Sequence, residues 1–167
     1  MPNRATKIRA LLGAFILAVA TGAAAAQQRW TTYANPRFGA TIDYPADLFV
    51  RTDPPPENGD GQAFRSRDGR TRLAVWGRYN SAGDSPQRYV EQYVEPDGGI
   101  TYRQITARYY VVSGLRKGDI FYQRCNFPTP PDDVIICFEA TYPPADKAAM
   151  DAVVARLSRS LRSGGHQ

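Results

Sequence analysis

The chain has 167 residues, 43% of them hydrophobic, and carries 21 Lys and Arg against 16 Asp and Glu. Its one histidine, His166, lies at the extreme C-terminus. That excludes Ser-His-Asp and Cys-His catalysis and any His-rich metal site.

Arg4, Lys7 and Arg9 precede an apolar run over residues 10–20 (ALLGAFILAVA), followed by Thr21, Gly22 and the alanines Ala23, Ala24, Ala25 and Ala26. This is the three-part pattern of a secretory signal peptide over residues 1–26, with cleavage expected after Ala26. The run is shorter than the ~20 residues of a comfortable membrane span. No cysteine stands near the cleavage point for lipid attachment, and no Arg-Arg pair precedes the run. Export of an unfolded chain is expected, with folding and oxidation in the periplasm or outside the cell. Cleavage removes Arg4, Lys7 and Arg9 and no acidic residue, which leaves 141 residues with a net charge of +2. Residues 27–167 then form one domain, able to bury about two-thirds of its unfolded surface. The arginines are scattered and no block of like charge occurs, so nucleic acid is not an expected partner.

Residues 30–33 begin a short strand. Asn35-Pro36 marks a turn, residues 40–44 alternate as a second strand, and Pro45 ends it. Residues 48–50 form a third extended piece. Residues 53–61 (DPPPENGDG) are a loop, because three prolines lack amide donors and the glycines supply positive φ. Asp53, Glu57 and Asp60 in this loop do not have the spacing of a calcium loop, so no metal or other cofactor is expected.

Residues 62–64 and 73–76 bracket Asp68-Gly69, a hairpin signal. The cations around that turn, Arg65, Arg67 and Arg70, can be read as a small anion-binding turn or, as preferred, a solvated hairpin end. Ser85 is an expected N-cap with Pro86 at the first helical position. Tyr89 with Tyr93, and Val90 with Val94, give this helix one face against a sheet. The tyrosine pair reads as a half-buried core edge rather than a binding stripe. Pro96, Gly98 and Gly99 stop the helix. Two strands follow over residues 100–107 and 108–115. Lys117-Gly118-Asp119 reads as a turn, which also accounts for its likeness to an adhesion tripeptide.

Residues 120–127 and 134–142 form two strands joined by a connection containing Pro128, Pro130, Pro131 and Asp132. Side-chain alternation puts Val134, Ile136, Phe138, Ala140 and Tyr142 on one face and Cys137, Glu139 and Thr141 on the other. With Cys125 opposite Cys137, Gln123 falls opposite Glu139, Phe121 opposite Thr141, Tyr122 opposite Ala140 and Ile120 opposite Tyr142. The two cysteines allow one intramolecular pairing, a structural disulfide worth ~3 kcal/mol in the chain-entropy model. They lack C-x-x-C spacing and a neighbouring His, which argues against a redox-active pair. Pro144 opens a last helix with Met150, Val153, Val154, Leu157 and Leu161 at helical spacing. Arg156, Arg159 and Arg162 suit its C-terminal dipole, and residues 163–167 are a tail.

The run Tyr33-Ala34-Asn35-Pro36-Arg37-Phe38-Gly39-Ala40-Thr41-Ile42-Asp43-Tyr44-Pro45 resembles the first hairpin of the PsbP/Mog1-like superfamily, Y-x-N-x-x-F-G-F-S-I-x-Y-P. Ala40 and Thr41 replace the usual Phe and Ser. The order of elements agrees over residues 30–162. The resemblance implies an α+β fold, mostly antiparallel sheet with two main helices packed on it. It also implies a non-enzymatic domain that binds or helps assemble other proteins. One branch of that superfamily binds a small GTPase and another sits on a photosystem, and the matched motif carries no catalytic residues.

The expected function is an exported binding or accessory protein of the cell envelope, with another envelope protein as partner. Its interaction surface is expected at Pro54, Glu57 and Asp60 of the Pro-rich loop and at the exposed aromatics Trp30 and Trp76, since loops carry function and Trp enriches at interfaces. The alternatives are a carboxylate-dependent enzyme on envelope polymers, which needs two carboxylates in one cleft, and a small-ligand carrier, which needs an apolar pocket.

Overall fold

A computed structural model describes residues 28–97, 99–127 and 133–163. The signal-peptide reading, Gly98, residues 128–132 of the hairpin connection and His166 lie outside the described residues.

Among the described residues, ten strands and two helices follow one another. β1 (Trp30–Ala34) and β2 (Ala40–Pro45) form a hairpin. β3 (Arg51–Thr52), β4 (Gly61–Arg65) and β5 (Arg72–Tyr79) come next, then α1 (Pro86–Tyr93) and a single 3-10 turn over Glu95–Asp97. β6 (Ile100–Ile105), β7 (Tyr109–Arg116), β8 (Asp119–Asn126) and β9 (Val134–Tyr142) lead to a second 3-10 turn, α2 (Lys147–Ser160) and β10 (Arg162–Ser163). The large sheet is antiparallel throughout, in the order β3-β4-β5-β9-β8-β7-β6. A small sheet has the order β1-β2-β10.

The β8–β9 register is the one that the cysteine pair demands. Cys125 faces Cys137, Gln123 faces Glu139, Phe121 faces Thr141, Tyr122 faces Ala140 and Ile120 faces Tyr142. The disulfide joins directly opposed residues whose Cα atoms are 4.1 Å apart. Both faces of β9 are buried. Ile136, Phe138, Ala140 and Tyr142 join Leu73, Val75 and Phe64 beneath the apolar stripe of α2, Met150, Val153, Val154 and Leu157. Ile135 and Cys137 join Cys125, Phe121, Tyr110 and Val112 beneath Tyr89, Val90 and Val94 of α1. The two helices therefore cover opposite faces, and β9 belongs to both cores. Fully buried Tyr110 donates its hydroxyl to the Cys125 sulfur at 2.9 Å, which satisfies a group that burial would otherwise make costly.

Ser85 caps α1, its hydroxyl accepting from the Arg88 amide, and Pro86 holds the first position. Tyr89 is buried while Tyr93 is 46% exposed, so the pair forms a core edge, with Arg78 over both rings.

Three local expectations differ. The third extended piece, expected over residues 48–50, begins at Arg51 instead, because residues 46–48 turn and the Pro45 carbonyl accepts from the Leu48 and Phe49 amides. The last helix is preceded by a 3-10 turn at Pro144–Asp146. Arg162 and Ser163 add a strand to β2 rather than extending the helix or starting a tail.

Candidate functional site

Asn35, from the Tyr33–Pro45 motif, is 2% exposed. Its Oδ1 accepts from the Arg37 amide at 3.0 Å and the Phe38 amide at 2.7 Å, which closes the β1–β2 turn. Its Nδ2 donates to the Tyr33 hydroxyl at 3.2 Å and to the Gly59 carbonyl at 3.0 Å. The second bond reaches out of the hairpin and holds the middle of the Pro-rich loop. Arg37 adds a guanidinium bond to the Asn58 carbonyl. Phe38 lies directly over Gly77, where no side chain would fit.

The ends of that loop are pinned as well. The Asp53 amide donates to the Ala63 carbonyl at 2.9 Å, and the Gln62 side-chain amide donates to the Asp53 carbonyl at 2.6 Å. The Gly77 amide donates to the Asp60 carbonyl at 2.8 Å. A loop whose prolines cannot join a ladder is thereby held in one place by backbone bonds at both ends and one side-chain amide in the middle.

Behind the loop, on the α1 face of the sheet, lies an open cleft of about 390 Å³. Pro54, Pro56 and Asp60 form its rim, and Trp76 and Arg72 of β5 stand at opposite ends of its wall. Its floor is small because Ala63 faces Ala74 across the ladder, and Gly61 faces Trp76. A Cβ on Gly61 would collide with the Val75 carbonyl oxygen and with Trp76 Cα and Cβ, so the close approach of β5 requires glycine there. Trp76 is half-buried and leans on the α1-side core.

Two of the loop's carboxylates, Asp53 and Asp60, are engaged. Asp53 takes Arg65 Nε at 2.9 Å, and this bond holds the Asp53 carboxyl below the usual carboxylate range. Asp60 accepts from the Asn58 side-chain amide at 2.9 Å. Among the described residues no three His, Cys, Asp or Glu gather to hold a metal ion. At the β4–β5 turn, Asp68 takes Arg70 Nε at 2.7 Å and the Ser66 hydroxyl at 2.6 Å, so that turn supplies its own anion.

Of the expected surface, Pro54, Asp60 and Trp76 line this cleft, and exposed Glu57 sits on the loop outside it. Trp30 lies elsewhere. It packs against the α2-side core beneath Arg156, whose guanidinium is 4.0 Å from the ring centroid. Arg51 and Arg72 were not singled out from sequence as a site. They converge only through register: Arg51 faces Arg65, and Arg65 faces Arg72. A second hollow of about 390 Å³ lies between α2 and β6–β8, lined by Tyr102, Tyr122 and Tyr142 with Lys147 and Asp151. Burial pushes the Tyr142 hydroxyl up to about 12.

No family model and no curated protein matches the chain. Solved structures do. The solution structure of cyanobacterial PsbP (CyanoP) from Synechocystis sp. PCC 6803 superposes with a TM-score of 0.57 at 11% identity, covering 87% of this chain and 98% of that one. The crystal structure of the Saccharomyces cerevisiae Ran-binding protein Mog1p superposes with a TM-score of 0.52 at 10% identity, covering 81% of this chain and 96% of that one. The fold is PsbP/Mog1-like: a mostly antiparallel sheet with two helices, here carrying one disulfide.

Proposed function

We propose that this chain is an exported, non-enzymatic binding or accessory protein of the cell envelope, and that the cleft beside Trp76 holds its protein partner. The observation that carries the reading is the preformed cleft. A loop pinned at both ends and in the middle faces an indole set on a floor of small residues. Preorganised loops spend little binding energy on ordering, and half-buried Trp is a common anchor at interfaces. The disulfide and the N-terminal leader pattern support an oxidising compartment outside the cytoplasm. The same fold carries a Ran-binding protein, so a protein-binding role is within its repertoire.

The test is crosslinking of the tagged mature protein in its own envelope without reductant, followed by capture and mass spectrometry. A partner crosslinked by wild type and by Trp30→Ala, but lost with Trp76→Ala, is expected. Trp76→Ala leaves the protein folded, because truncating a half-buried ring costs about 1–3 kcal/mol against a typical stability of 5–15 kcal/mol. Unfolding of that variant would make Trp76 a core residue and remove the idea. Retention of glycan fragments or a small molecule in place of a protein would favour the enzyme or carrier.

A further inference from the structure

We infer that the cleft is built for an acidic, extended segment of a partner polypeptide, with carboxylates on an arginine row and an apolar side chain against Trp76. The inference rests on the reading of the cleft as a binding site and names the chemistry of its occupant.

The row is a consequence of register. Arg51, Arg65 and Arg72 stand directly opposite one another on three neighbouring strands, on the cleft face of the sheet. Like charges directly opposed across an antiparallel ladder are destabilising. Asp53 neutralises Arg65. Glu139, which faces Ala74 at the cleft's far side, is taken by Arg116 at 3.1 Å. Asp68 is taken by Arg70. Among the described residues, neither Arg51 nor Arg72 has a carboxylate within 4.0 Å. Arg51 and Arg72 are thus left without a direct carboxylate partner in a row that costs stability, Asp53 acting on Arg72 only through its field. Arg72 lines the cleft at one end, and the Asp60 carboxylate lies on the rim at the Trp76 end, where the occupant is apolar.

The rest of the cleft selects against a small ion. The prolines of the rim offer no amide donors, and the floor at Ala63 and Ala74 is apolar. Arg72 and Trp76 are four positions apart on one strand, ~13 Å along the sheet. A lone carboxylate does not bridge that span. An extended peptide of about four residues does, at ~3.3 Å per residue. The guanidinium fork binds carboxylate through two parallel hydrogen bonds, which gives the row a preference in geometry as well as charge.

The mature protein, oxidised, is titrated with acetyl-Glu-Glu-Ala-Phe-amide, its Gln-Gln and Lys-Lys counterparts, and sodium acetate. The Trp76 indole N–H resonance is followed by NMR and assigned with Trp30→Phe. The Glu peptide is expected to bind roughly three- to thirtyfold tighter than the Gln peptide, the yield of two exposed ion pairs. Salt should weaken it, and acetate should leave the indole unmoved. Arg51→Gln/Arg72→Gln should erase the difference between Glu and Gln peptides with melting temperature unchanged or raised. Equal binding of both peptides overturns the acidic preference and leaves the binding cleft standing. Acetate binding as well as the peptide overturns the polypeptide occupant. If no peptide moves the Trp76 resonance, the cleft itself is lost and the inference with it. A double variant that melts well below wild type makes the row structural and overturns the proposal.

Discussion

Replacing Asn35 separates two jobs that one buried amide performs. Asn35→Ala strips the Phe38 amide of its 2.7 Å acceptor inside the protein, and removes the donor to the Gly59 carbonyl. An orphaned buried donor costs about 1–3 kcal/mol. Gly59 is only part-buried, and water can replace some of what its carbonyl loses. The expected total is about 2 kcal/mol, or ~6–8 °C in melting temperature for a domain of this size. Asn35→Asp retains an acceptor for the turn but sets a carboxylate oxygen against the Gly59 carbonyl at a buried position, so it should lose at least as much stability as Asn35→Ala. Both variants should free the Pro-rich loop, which a glutamyl endopeptidase reads by cleavage after exposed Glu57. Thermal unfolding by circular dichroism and the rate of that cleavage are the measurements. An Asn35→Ala protein that melts within ~2 °C of wild type, with unchanged cleavage, refutes the claim that this side chain anchors the loop.

Reducing the disulfide, or replacing Cys125 and Cys137 by Ala together, should lower stability in urea by about 3 kcal/mol. Leu157→Ala, at a fully buried position beneath the sheet, should cost about 2–5 kcal/mol in the same assay. At alkaline pH, Tyr142 has a folded-state value of about 12, raised by burial from 10.0. Its contribution is complete below ~10 and is lost as pH rises through about 12. Unfolding monitored by tyrosinate absorbance should show this fall, and Tyr142→Phe should reduce it. Asp53 has the opposite sign. Its carboxyl is lowered by Arg65, so its small contribution is present above an ordinary carboxylate value of ~3.9 and fades as pH falls through the lowered one. Asp53→Asn should remove that acid-side component from urea titrations.

The elements that could be read in advance were those with a long period or a hard constraint. The β8–β9 register followed from two cysteines that had to meet, and every pair flanking them agrees. α1 announced itself through Ser85-Pro86, and α2 through the stripe from Met150 to Leu161. β10 has two residues, too few to show alternation, and exists only because β2 offers an edge. The extended reading of residues 48–50 failed because a carbonyl at Pro45 was free to collect two amides. At the cleft, Trp76 and the Pro-rich loop stood out by composition. Asn35 did not, because an Asn before a Pro is read as a turn residue. Its second bond, to Gly59, depends on tertiary placement. The arginine row was hidden for a similar reason: Arg51, Arg65 and Arg72 become neighbours only once both ladders are in register.

The strand at the centre of the large sheet is the ninth to be synthesised. β9 stands between β5 and β8, and both cores are built on its two faces. Leu73 must wait for Ala140, and Cys125 for Cys137. Such non-local pairing places a protein among slow folders, because loop-closure entropy is met before the contacts reward it. A nascent chain ending before Val134 holds β6, β7 and β8 as a local meander, while β4 and β5 have no strand beside them to join it. Resistance to proteases is therefore expected only once the final strand-and-helix segment has joined the sheet.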